Sequence, residues 1–431
     1  MTGVPKFYIP LLIIASFVSC STTRNPFIKR TLHEKYGEKL TEAGLKETKM
    51  GNMWFAAAEK SLHQPQIVTL PYRETAFFPA DKPSATGYLF DVRQGENIEI
   101  SVSTIPHSGI LYFAELWKNE NGKNTFLTAM DTLKKKLSYS VKKEGRYLCR
   151  VQPELLTNVE YTITITTTPS LAFPVDSSGG PKIISFWGVS RGGGRKHEGI
   201  DIQAKFKTPA IAGADGVARV KNNNLGGKVV FIYDISTGNS LYYAHLDSQL
   251  VSNGDRVSKG DKVGLIGNTG NAINTVPHLH FGIYTNTGAI DPLAFIDPRR
   301  QIPKKVTAST ENLNKWLRTL NASKAYDNAD LKTQVKLNIP SGTPLLVEAA
   351  SGHAYRCELP SGEIVYLNDQ SVTSRPLATK KTSEEIKLFT LPDSASASMK
   401  KLPPAQSYSI IGNYQQYSLI EVDDTKGWIL Q

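Results

Sequence analysis

Cysteine is scarce in this chain: three in 431 residues, at positions 20, 149 and 357. So few and so widely spaced, they exclude a disulfide framework. Cys149 and Cys357 each sit in an apolar alternation, Tyr147-Leu148-Cys149-Arg150-Val151 and Tyr355-Arg356-Cys357-Glu358-Leu359. Both read as small core residues. Long runs of one charge sign are also missing. The net charge of +11 is spread along the chain, and no helix-turn-helix, RNP or zinc-finger pattern accompanies it, which argues against nucleic acid as a partner. A dispersed basic balance suits an anionic polymer or a membrane face instead. The apolar run Phe7 to Val18 falls short of the roughly 20 residues a spanning helix needs.

What is present is an ordinary globular composition, 40% hydrophobic and 21% charged, at a length that predicts two to four domains. Lys6, the short apolar run and Ser19-Cys20-Ser21 read as a secretory signal over residues 1–19. Phe17-Val18-Ser19-Cys20 resembles a bacterial lipoprotein box, departing from it in Phe17 where Leu is usual. The resemblance implies a diacylated Cys20 and a protein exported and lipid-anchored at the cell envelope; acyl chains contribute about 0.8 kcal/mol per buried CH₂.

Residues 20–75 are polar, with weak helical periodicity from Leu40 to Leu62; a tether or a short helical pair fits them. From 76 to 170, alternating runs such as Ile98-Glu99-Ile100-Ser101-Val102 are separated by turns such as Glu120-Asn121-Gly122-Lys123. Period-two strands at this spacing predict a β-sandwich accessory domain. His107, beside Pro106 in a loop, reads as incidental. Residues 171–303 are Gly-rich and strand-like. After 304, Glu311 to Leu317 suggests a short helix, and two β-rich units, 304–378 and 379–431, repeat an apolar strand ending in Pro, an inner strand and a closing strand. Their pattern resembles paired bacterial SH3-like barrels. The expected fold is thus mainly β and multi-domain.

Four of the eight histidines lie between 197 and 280. His278-Leu279-His280 continues into Phe281 and Ile283, so a strand is expected, and positions i and i+2 then share a face. His197 and Asp201 follow Gly192-Gly193-Gly194, which predicts a loop that curls into a strand. His197-Glu198 does not begin an HExxH helix, because position 201 is Asp, and Glu198 reads as solvent-facing. Together His197, Asp201 and His280 offer two imidazoles and one carboxylate. Three protein ligands with one position open is the pattern of catalytic zinc, and thiolates, usual in structural zinc sites, are absent from the region.

Arg191 to His280 resembles the M23 (lysostaphin/LytM-type) zinc endopeptidases of peptidoglycan. His197-Glu198-Gly199-Ile200-Asp201, Thr208-Pro209-Ala210-Ile211-Ala212-Gly213-Ala214-Asp215-Gly216-Val217, Tyr243-Ala244-His245-Leu246 and Pro277-His278-Leu279-His280-Phe281 carry the likeness. Lys207 departs from it where the family commonly has Gly. The resemblance implies an antiparallel-β peptidase domain with His197, Asp201 and His280 as zinc ligands, and His245 and His278 handling protons and the oxyanion. Tyr243 is left either to donate to the oxyanion or to pack. The implied substrate is the peptide stem of bacterial peptidoglycan, with other wall-hydrolase or division partners unspecified. The alternative expectation is a catalytically silent activator of another cell-wall hydrolase.

Overall fold

The computed structural model describes residues 30–107, 109–131, 135–299, 301–333 and 335–431; the expected signal segment and Cys20 lie outside them. The chain is mostly strand, and its cores are built by period-two burial. In the strand Glu96–Ile105, alternate residues Ile98, Ile100 and Val102 are buried while their neighbours face outward. Gly145–Pro153 is buried nearly throughout, because one face meets a sheet and the other a helical layer.

Residues 66–169 form two facing sheets. One runs in the order 66–67, 86–92, 145–153, 112–120, 123–129; the other contains 72–78, 159–169, 96–105 and 136–140. Tyr88, Phe90, Ile98, Ile100, Leu116, Tyr147, Cys149, Ile163 and Ile165 fill the space between them. The preceding segment is a helical pair, Leu32–Glu42 and Lys49–His63, rather than an extended tether. Thr31 opens the first helix with a capping box to Glu34, which satisfies two of its unpaired amides. The second helix buries Trp54 against Leu40 and Phe113, and Trp54 Nε1 donates to Pro153 O at 2.9 Å.

The expected helix over 311–317 does not form. Thr310–Asn312 is a single 3₁₀ turn, Asn314 is left-handed with φ 57°, and Trp316–Thr319 is a strand. Pairing of Trp316 with Leu346 and Leu317 with Leu345 overrides the local helical pattern. Residues 308–372 have their own core, including Leu317, Leu345, Val347, Tyr355 and Val365. Their sheet nevertheless continues the sandwich sheet, since Thr75 and Ala76 pair with Ala350 and Ala349. A boundary near 304 therefore separates segments of chain but not sheets. Residues 378–430 form a six-stranded sheet around Leu388, Leu402, Ile420 and Ile429.

The intervening unit carries the histidines. Its sheet runs 182–185, 200–203, 278–285, 240–249, 227–234, 216–223, with 262–266 bridging 240–249 to 209–211. Ile200, Ile202, Val230, Ile232, Leu279, Phe281 and Ile283 make the buried layer. It meets the sandwich at Phe295, whose ring lies where a side chain at Gly95 would project.

Candidate metal centre

Two neighbouring antiparallel strands supply most of the site. Ile200–Gln203 pairs with His278–Thr285 so that Asp201 lies opposite His280 and Gln203 opposite His278. Period two then sets Asp201 and His280 side by side, with His278 two residues along. His197 arrives from the loop before Ile200, as the glycine run implied. Gly199 is required there: a Cβ on it would stand 2.5 Å from Phe281 O and 2.8 Å from the His280 ring.

The three donor groups converge. His197 Nε2 lies 3.1 Å from Asp201 Oδ1 and 3.0 Å from His280 Nδ1, and His280 Nδ1 lies 3.0 Å from Asp201 Oδ1. Among the described residues this is the group of His, Cys, Asp and Glu side chains able to hold a metal ion. The separations suit donors about 2.0–2.2 Å from one small dication. The donor chemistry fits too. His197 Nδ1–H donates to Phe186 O at 2.9 Å, which leaves the Nε2 lone pair turned inward. Burial alone would raise the Asp201 carboxyl. The neighbouring His197 and His280 rings and the Arg191 guanidinium outweigh it, and the group is held well below the usual carboxylate range. Burial lowers His280, against the pull of Asp201.

His245 reaches the site through a β-bulge. Val230 pairs with Tyr243 and Lys228 with Leu246, so Ala244 and His245 together face Val229. His245 takes φ 62° and its amide donates to Gly226 O; re-aiming a side chain is what such bulges do. The His245 and His278 ring centroids are 5.0 Å apart, and those of His245 and His280 6.1 Å. His245 Nδ1 bonds Thr269 O at 2.9 Å and His278 Nδ1 bonds Val276 O at 2.8 Å, so both rings keep Nε2 free to take a proton. Burial lowers His245 to about 4; the Thr269 bond opposes this, and His278 and His280 add to it. At neutral pH it is an uncharged acceptor.

The bulge separates Tyr243 from His245. Tyr243 is fully buried and its hydroxyl accepts from Gly213 N at 2.8 Å, so it packs and does not face the metal donors. Tyr242 is the aromatic at the site, its ring edge-on to His280 with centroids 5.7 Å apart. Glu198 is exposed. Two contributors had no local sequence signal. Arg191 donates to Asp201 Oδ2 at 2.5 Å, and Ser185 Oγ lies 3.3 Å from His197 Nδ1. Both come from strands that meet the donors only in the folded chain.

Residues 195–292 match Peptidase family M23, so the chain carries an M23 peptidase domain. The chain is 35% identical over 156 residues to the lipoprotein YgeR of Escherichia coli, covering 33% of this chain and 59% of that one. It is 35% identical over 127 residues to an L-Ala–D-Glu endopeptidase of Bacillus subtilis, covering 27% and 39%. Among solved structures, that of LytU is 38% identical, covering 27% of this chain and 83% of that one at a TM-score of 0.25. The chain thus spans 59% and 39% of the length of the two curated relatives, under two thirds of either.

Proposed function

We propose that this protein is an exported, zinc-dependent endopeptidase that hydrolyses peptide cross-links of bacterial peptidoglycan, tethered to the cell envelope by lipid on Cys20. The observation that carries the reading is the convergence of His197 Nε2, Asp201 Oδ1 and His280 Nδ1 within 3.1 Å of one another, beside two further imidazoles. In this reading His197, Asp201 and His280 hold the zinc. Bound there, zinc would supply Lewis acidity, polarising a scissile carbonyl and making water a better nucleophile near pH 7.

The chain's own residues do the rest. His245, neutral and with Nε2 free, accepts the proton that the attacking water gives up. His278, fixed through Nδ1 on Val276 O, turns its Nε2 to the oxyanion or to the leaving amine. Two rings rather than one allow proton removal and proton delivery without either having to swing between positions. The likeness to the Bacillus subtilis L-Ala–D-Glu endopeptidase supports a wall peptide as substrate, and the likeness to the Escherichia coli lipoprotein supports the anchor. A surplus of basic side chains, +11 over the chain, favours residence against an anionic polymer or headgroup layer.

The deciding experiment is mass spectrometry of muropeptides after digestion by the wild type and by His197→Ala, each with and without chelator. New peptide termini from the wild type alone, lost on chelation and restored by zinc, are expected. An identical product profile from His197→Ala would remove the metal mechanism, and no products from any sample would favour a silent activator.

A further inference from the structure

We propose that Arg191 is a positioning residue that keeps Asp201 a one-oxygen ligand, and that the glycine hairpin carrying it acts as a clasp on the metal centre. The inference rests on the metal-centre reading above.

The two oxygens of Asp201 have separate partners. Oδ1 faces both histidine donors, at 3.1 and 3.0 Å. Oδ2 accepts from Arg191 Nη2 at 2.5 Å. A carboxylate with both oxygens free can close on a dication through both. Doing so here would break a charge-assisted hydrogen bond to a carboxylate that is only 6% exposed, among the stronger hydrogen bonds a protein makes. Oδ2 therefore stays with the guanidinium, and the centre keeps three protein donors and an open position.

The same nitrogen reaches the second ligand. Arg191 Nη2 donates to Ser185 Oγ at 3.0 Å, and that hydroxyl lies 3.3 Å from His197 Nδ1. One cation thus touches the supports of two donors. The hairpin is built to hold it there. Ser190–Arg191 pairs with Arg195–Lys196 across Gly192-Gly193-Gly194, where Gly193 and Gly194 take φ 74° and 75°. Its base is tied to His197, which accepts from Gly188 N and donates to Val189 O, each at 2.9 Å. Moving Arg191 away would therefore loosen His197 as well. The pairing has an electrostatic effect besides: Arg191 offsets the Asp201 charge, so a bound dication keeps more of its own field for the reacting oxygen.

The test is the visible spectrum of the full chain loaded with cobalt(II), which absorbs strongly when four-coordinate and weakly when five-coordinate. Wild type should show the intense bands. Arg191→Met, folded by circular dichroism, should show them several-fold weaker as Asp201 becomes bidentate, or bind no cobalt. Arg191→Lys retains a cation without the planar fork and should fall between, which keeps the test decisive if Arg191→Met does not fold. A wild-type spectrum in both variants would overturn the role of Arg191. His197→Ala separates the two failures: if it too binds cobalt with the wild-type spectrum, the metal-centre reading itself is wrong.

Discussion

Gly199 and Lys207 show how much a single backbone position decides near this site. Gly199 packs against Phe281 O and the His280 ring with no room for a methyl. Gly199→Ala should cost about 1–3 kcal/mol through overpacking and displace His280, lowering peptidase activity at least tenfold; zinc titration and muropeptide release would both register it. Lys207 is the reverse case. It sits in the turn where the family commonly has Gly and takes φ 64°, a region that costs an L-residue roughly 1 kcal/mol. Lys207→Gly should therefore raise the melting midpoint of the peptidase unit slightly and leave activity intact; a lowered midpoint would mean that the turn is held by the lysine side chain. The candidate donors were legible because few side chains hold a metal ion and HxH on a strand puts both rings on one face, while the choice of His280 over His278 came from the M23 resemblance. Tyr243 was not: period two put it on the face of His245, and a bulge invisible in the residue pattern moved it off. Arg191 and Ser185 were illegible for a related reason, since a hairpin and a strand edge bring them to the donors without any fixed spacing.

At the scale of elements, the helical pair behaves as part of the sandwich. His33 on the first helix stacks on Trp54 at 4.7 Å, and its Nε2 bonds Gln152 at 2.7 Å. Arg150, paired with Glu115 beneath it, lies 3.1 Å from His33 Nδ1. Burial, and then the Arg150 charge, lower the His33 pKa below its ordinary 6.5. The unfolded chain therefore binds the extra proton first as pH falls. The contribution of His33 to stability is full above about pH 6.5 and declines below it. Protection factors of the amides of residues 32–63, taken relative to the intrinsic exchange rate at each pH, should fall between pH 7 and pH 5, and His33→Gln should flatten that dependence. An equally steep profile in the variant would place the sensitivity elsewhere. Strands across 86–169 were readable from alternation. The helix expected at 311–317 was not realised, because Asn314 turns left-handed and Trp316–Thr319 finds a strand partner far along the chain.

Across the whole molecule, the units are joined by more than linkers. Glu74 in the sandwich is fully buried and accepts from Arg356 Nη1 at 2.7 and 2.9 Å, 282 residues further along the chain. Tyr72 and Tyr88 donate to the same carboxylate, each at 2.7 Å. Removing one member of a buried pair strands the other, at roughly 3–5 kcal/mol. Arg356→Met should thus open the junction to proteolysis, whereas Glu74→Gln with Arg356→Met should recover much of the loss. Equal protease resistance in wild type and Arg356→Met would show the shared sheet holding without the ion pair. The sequence alone determined the β character and marked the candidate donor set, because side-chain period and metal-ligand chemistry are local properties. Only the tertiary structure decided that strands 72–78 and 344–351 form one sheet, that His245 sits on a bulge, and that Arg191 meets Asp201. Pairing between distant segments depends on which surfaces can bury each other, and no local window of residues contains that information.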